Sequence, residues 1–151
     1  MKKLALLSLV LVLASCAMHK KGENGKDGVA GKSGMSNNHY KILTDGGYGG
    51  RETASQEVID SKEKLDRLYE ELNFGSAPQV DFDTYNVVAL FMGQKSSGGY
   101  SIGIESVKFE GNTATVKIKT TQPKPGENVT MALTQPYCIA TVSKTDKVTF
   151  E

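Results

Sequence analysis

The run Val87-Val88-Ala89-Leu90-Phe91-Met92 is apolar at every position. A strand lying half in water alternates apolar with polar residues, so a strand with no polar face is covered on both sides. The run therefore predicts the middle of a sheet, and the elements around it must flank or cover it.

Upstream, Asp60-Ser61-Lys62-Glu63 has the form of a helix start, with Asp60 or Ser61 placed to cap free amides. Leu65, Leu68, Tyr69 and Leu72 then recur at helical spacing, with Glu63 and Arg67 four apart on the polar side. One amphipathic helix is expected, ending near Asn73-Phe74-Gly75. Its charged side (Lys62, Asp66, Glu70, Glu71) reads as solvated surface. Before it, Tyr40 to Leu43 predicts a short strand, the four glycines of Asp45 to Gly50 a turn, and Arg51 to Thr53 and Glu57 to Ile59 extended chain.

Downstream, Tyr100, Ile102 and Ile104 alternate, and Val107 and Phe109 resume with the phase shifted by one. That slip predicts a β-bulge near Glu105-Ser106. Gly111-Asn112 turns the chain into a half-exposed strand carrying Ala114, Val116 and Ile118, which Pro123-Lys124-Pro125-Gly126 breaks. Val129, Met131 and Leu133 predict a further strand, Tyr137 to Val142 another, and Val148-Thr149-Phe150 a last short one. The sum is an α+β domain: one amphipathic helix on a mainly antiparallel, meandering sheet, curved toward a barrel. The 113 residues from 39 to 151 suffice for a core without disulfides.

The N-terminus carries different chemistry. Met1-Lys2-Lys3 is positive, Leu4 to Leu13 is apolar but too short to span a bilayer, and Leu13-Ala14-Ser15-Cys16 follows. Residues 1–15 read as a lipoprotein signal peptide and Cys16 as the thiol that accepts diacylglycerol, similar to the general lipoprotein-export pattern. Several acyl chains would hold the protein on a membrane where one alone is marginal. From Ala17 to Asn38 there is no apolar periodicity, and residues 16–38 are expected to form a flexible Gly-rich tether. Gly22, Gly25, Gly28, Gly31 and Gly34 fall at collagen spacing, but five triplets without proline favour a spacer over a triple helix.

With Cys16 acylated, Cys138 has no bridging partner and reads as a small buried hydrophobe in an apolar strand. Both histidines, His19 and His39, lie at or before the domain edge, so no nucleophile–base pair emerges. Asp81, Asp83 and Asn86 lack the Gly and Glu of a calcium loop and read as turn residues. No cofactor, metal or small-molecule substrate is indicated, and a non-enzyme is expected. From His39 onward twelve basic side chains stand against fifteen acidic ones, which gives no basic face for nucleic acid.

The connection after the central run is longer than a strand reversal needs. Gly93-Gln94-Lys95-Ser96-Ser97-Gly98-Gly99-Tyr100 is a polar loop with an aromatic at its exit, and such loops on a rigid sheet are where binding groups sit. Ser97, Gly98, Gly99 and Tyr100, with Pro136 and Tyr137 of the neighbouring turn, are the partner-binding candidates. The competing reading makes Gly98-Gly99 a simple turn and Tyr100 the first residue of the core face.

Gly93-Gln94-Lys95, the run Ser97 to Ile102, and Pro136-Tyr137 resemble the PrcB-like protease-complex subunit family over roughly Asp81 to the C-terminus. The resemblance implies a partner-binding accessory lipoprotein of an envelope protease, without catalysis of its own. Its place would be the bacterial cell envelope, lipid-anchored, at the outer membrane. Two alternatives stay open: a protease inhibitor, since Ser-Ser-Gly-Gly-Tyr is loosely similar to the loop of chagasin-like inhibitors, and an envelope scaffold with no protease link.

Overall fold

The computed structural model describes residues 39–151. The expected signal peptide, Cys16 and the expected tether lie outside the described residues. Seven strands and one helix follow in the order β1 (Tyr40–Gly46), β2 (Ser55–Ile59), α1 (Lys62–Glu71), β3 (Tyr85–Phe91), β4 (Ser101–Glu110), β5 (Thr113–Thr121), β6 (Tyr137–Ser143) and β7 (Lys147–Phe150). The fold is α+β, as expected, but the strands do not close into a barrel. They divide into a four-stranded sheet ordered β1-β6-β3-β2 and a three-stranded sheet ordered β4-β5-β7. All pairings are antiparallel except β5 with β7, which is parallel.

The central run explains this layering. Val87, Ala89 and Phe91 join Tyr137 and Ile139 of β6 on one face, packed against Leu65, Leu68 and Tyr69 of the helix. Val88 and Leu90 join Cys138, Ala140 and Val142 on the other, packed against Ile104, Val107, Ala114 and Val116 of the second sheet. The four-stranded sheet is thus a filling between the helix and a second sheet. A strand apolar on both faces requires two cores, and the chain has both.

Local chemistry sets the helix ends. Ser61 has extended backbone, and its hydroxyl accepts from the Lys64 amide at 3.4 Å. At the other end Asn73 takes a left-handed φ of 55°. The Phe74 amide then donates to the Tyr69 carbonyl at 2.9 Å and the Asn73 amide to Glu70 at 3.1 Å. This is a Schellman stop, with its usual apolar clasp between the Phe74 and Tyr69 rings at 5.9 Å. Ion pairs Lys62–Asp66 and Lys64–Asp60 tie the exposed first turn.

The slip in β4 is also present, since the register against β5 shifts between Ile104 and Ser106. A second irregularity lies between Ile42 and Thr44 of β1. The Tyr40 hydroxyl donates to the Ile104 carbonyl at 2.9 Å and so joins the edges of the two sheets. The Asp81 carboxylate is occupied by its own turn, accepting from the Asp83 amide and the Thr84 hydroxyl.

One expected strand is not there. Val129, Met131 and Leu133 belong to an irregular stretch between β5 and β6 that bends at Ala132 and makes one isolated bridge, Thr134 to Lys95. Tyr100 also lies outside β4.

Candidate functional site

The registers give the domain two ends. Gly46 lies opposite Tyr137, Phe91 opposite Tyr137 and Ser55 opposite Phe91, so these residues share one end of the first sheet. Tyr40, Ser143, Tyr85 and Ile59 mark the other, where the chain enters at His39. Three connections meet at the first end: residues 47–54 between β1 and β2, 92–100 between β3 and β4, and 122–136 between β5 and β6.

These connections are bound to one another by backbone groups. Lys95 and Thr134 exchange two hydrogen bonds, at 2.8 and 2.9 Å. The Gly98 amide donates to the Thr130 carbonyl at 2.8 Å, and the buried Thr134 hydroxyl donates to the Ser97 carbonyl at 2.8 Å. On the other side the Gln135 amide donates to Gly47 and its carbonyl accepts from Gly50. The Gln94 amide donates to Glu52 at 2.9 Å, which joins the first loop to the second.

Two glycines are needed for this closeness. A Cβ at Gly50 would lie 2.6 Å from the Gln135 carbonyl oxygen. At Gly99, φ is +83°, and a Cβ would press on Pro123 at 2.9 Å and Val129 at 3.0 Å.

The candidates from the sequence are all at this end, in different roles. Ser97 and Gly98 spend backbone groups holding the 130–134 stretch, and Gly99 lets Pro123 and Val129 approach. Tyr100 is half-buried, belongs to neither core cluster, and lies under Lys95, whose Nζ is 5.9 Å from the ring centre. Pro136 is fully buried. Tyr137 is 8 % exposed, packs on Phe74 with ring centres 4.8 Å apart, and shares a 3.3 Å hydrogen bond with the Thr44 hydroxyl. Both therefore support the loops from below and present no surface of their own.

What is exposed includes two residues, Met131 and Leu133, that the sequence placed in a strand. Met131 is 86 %, Leu133 63 % and Tyr48 59 % exposed, all on these connections. Alternation assigned Met131 and Leu133 to a strand because it detects extended chain and is blind to what covers it. The available signal was the absence of charge from Asn128 to Val142 combined with a threonine, not an apolar residue, at the inward position Thr134.

Arg51 fixes the first loop. Its guanidinium makes a two-pronged contact with Glu71 at 2.7 and 2.8 Å, pairs with Glu57 at 3.0 Å, and lies 4.7 Å from the Phe91 ring centre. The Arg51 hydrogen bond holds the Glu71 carboxyl below the usual carboxylate range.

Cys138 is buried inside β6, and burial, with a smaller contribution from Asp45, pushes its thiol up to about 12. A protonated, enclosed thiol is a packing group. His39 lies just before β1, beside the far end of β6, where its carbonyl accepts from the Ser143 amide, and is edge-on to Phe109 at 5.0 Å. Among the described residues, no group of three His, Cys, Asp or Glu side chains is placed to hold a metal ion. The chemistry the loop end offers is contact chemistry: exposed apolar side chains on a hydrogen-bonded frame.

The family model described as PrcB C-terminal matches residues 86–143. The match supports the PrcB C-terminal domain family for these residues. The matched stretch takes in nearly all of β3, the whole of β4, β5 and β6, and both loops that carry Ser97 and Leu133. The helix and β1 precede it, so the family part and the described domain differ in extent. No curated protein and no solved structure matches the chain.

Proposed function

We propose that this chain is a non-catalytic accessory subunit of a protease complex, anchored in the bacterial envelope through lipid on Cys16, which holds its partner by the loop end. The observation that carries this reading is the PrcB C-terminal match over residues 86–143, a family tied by its resemblance to protease-complex subunits. Support also comes from the chemistry: the thiol is enclosed, and the loop end is built of backbone frame and exposed apolar side chains.

The test is recovery of the tagged full chain from native envelopes. A protease that co-elutes, and whose level falls when this chain is deleted, sustains the proposal; a chain that elutes alone removes it. Cys16→Ser should release the protein from the membrane fraction and abolish incorporation of labelled palmitate. Retention with no label would remove the anchor.

A second reading is inhibition. Two stacked sheets with three loops gathered at one end are similar in outline to the loop-bearing sandwich of chagasin-like inhibitors, although the helix departs from it. Titration of purified protein into papain-type activity separates the two, since an accessory subunit leaves that activity unchanged.

A further inference from the structure

β4 is the outer strand of its sheet, paired with β5 on one side alone. Which of its backbone groups are left over follows from the register. The Ile118 amide donates to the Glu151 carbonyl and the Val116 carbonyl accepts from the Glu151 amide, so the even-numbered residues of β5 point toward β7. The odd-numbered ones point toward β4 and bond to Glu110, Lys108 and Ser106, which stand opposite Thr113, Thr115 and Lys117. Val107 and Phe109, opposite Val116 and Ala114, therefore turn both N–H and C=O away from the sheet. The Tyr40 hydroxyl on the Ile104 carbonyl agrees with this phase, since Ile104 stands opposite Ile118. It also caps the edge before the slip, where the register shift interrupts the line of free groups.

Beyond the slip the edge is open. Val107, Lys108, Phe109 and Glu110 line a recess of about 500 Å³ that His39 and Ser143 complete. Val107 and Phe109 direct their side chains into the core between the sheets, with the His39 ring edge-on to Phe109 at 5.0 Å. Lys108 and Glu110 are exposed, and neither is in an ion pair among the described residues. The other edges offer less: β2 and β7 have five and four residues, and β1 is irregular between Ile42 and Thr44. Free N–H and C=O groups two residues apart take an extended backbone, which adds as a further strand.

The charges indicate whose backbone fits. In an antiparallel pair turned about Phe109, that residue faces its own copy and the two exchange both hydrogen bonds. Lys108 then stands opposite Glu110 of the second copy, and Glu110 opposite the second Lys108. These are the positions between hydrogen-bonded pairs, where side chains approach closest and opposite charges stabilise. A two-fold interface has to be complementary to itself, and this edge meets that condition.

We propose that this chain pairs with a second copy of itself along the free edge of β4, antiparallel and centred on Phe109, joining two three-stranded sheets into one of six. One strand-to-strand contact is small beside the roughly 800 Å² per partner of a stable interface, so the pair is weak and depends on concentration. The pairing centre lies beside His39, away from the loop end, and the inference does not rest on the partner-binding reading above.

The test is sedimentation equilibrium of the full chain, purified in detergent, over a range of concentrations. Lys108→Glu and Glu110→Lys each set like charges opposite one another twice across the axis, and each should weaken self-association at least about tenfold. An equal mixture of the two variants should recover it, because one presents two acids and the other two bases. The double variant Lys108→Glu with Glu110→Lys should recover it as well. All should unfold at the parent's temperature, since both side chains are exposed. Hydrogen exchange at the Val107 and Phe109 amides should slow as concentration rises, while the Lys108 amide, already held by Thr115, should not change.

A parent that stays monomeric at its highest soluble concentration overturns the proposal. So does self-association that the mixture fails to recover, or that leaves the Val107 and Phe109 amides exchanging freely. Slowing of those amides by an envelope extract, without self-association, assigns the edge to a strand of another protein and overturns it likewise.

Discussion

Two stretches of this chain look alike on paper and end in opposite surroundings. Tyr137 to Val142 and Val129 to Leu133 are both uncharged and both extended in tendency, and only Gln135-Pro136 and their neighbours separate them. The first is β6, paired on both sides and covered on both faces. The second bends at Ala132, pairs once, and turns Met131 and Leu133 outward. The lesson is that side-chain pattern specifies an extended backbone, while the supply of covering layers decides whether its apolar residues become core or contact surface. Helix and second sheet have already covered β6, and nothing among the described residues remains to cover 131 and 133.

The comparison breaks if the two stretches respond alike to a buried charge. Ala140→Asp places a carboxylate between the sheets and should cost at least about 4 kcal/mol, enough to leave the domain unfolded in denaturant titration. Leu133→Asp should change stability by no more than about 0.5 kcal/mol in the same titration. Equal losses would mean that 129–133 is core.

Truncation at the centre sharpens the same contrast. Leu90→Ala, facing Cys138, should cost about 3 kcal/mol, since a cavity between two packed sheets relaxes poorly. Thr134→Val removes only the hydroxyl bond to Ser97 and should cost about 1 kcal/mol. That variant should also weaken the hydrogen-exchange protection of the Gly98 amide, because the frame of the loop end loosens.

A smaller effect depends on acidity. Glu71 has its pKa lowered in the fold, so the stability it contributes is present above the ordinary carboxylate range and is lost as pH falls through the lowered value. The pair is about half exposed at Glu71, and Glu71→Gln should cost less than about 1 kcal/mol at neutral pH. The gap between variant and parent should close in acid; a gap that persists there would show that the contact is packing and not charge.

The gentlest probe is chemical. Dilute peroxide should oxidise Met131 well before half-buried Met92, and a thiol reagent at pH 8 should leave Cys138 unmodified until denaturant is added. Peptide mass mapping reads both sites in one experiment. Rapid labelling of Cys138 in the native protein would show that β6 is less enclosed than its packing implies.

Much of the fold was legible because its causes are local. The cap at Ser61, the stop at Asn73-Phe74-Gly75, the slip beside Glu105 and the turn at Gly111 each follow from a few neighbouring residues. The run 87–92 correctly announced a strand covered on both faces. What it did not announce was the division into two sheets, because a second core behind β3 depends on where β4 and β5 return. Nor is the parallel pairing of β7 with β5 a property of Lys147–Phe150 alone. At the loop end the sequence named residues that the fold brings to one end of the sheet. It named Pro136 and Tyr137 as partner-binding candidates, whereas both are buried, Tyr137 against Phe74 and Thr44, which are distant in the chain.

The position of β6 has a consequence for how the chain comes to be folded. It is the sixth of the seven strands among the described residues, yet it is inserted between β1 and β3, joining Tyr40 to Val142. Until it emerges, the earliest strand has no neighbour and the central one lacks half its ladder. Such remote closures make acquisition of the native state slow and nearly all-or-none. A polypeptide cut short before Tyr137 should therefore remain an unstructured, protease-sensitive thread, and only one that includes β6 can lock.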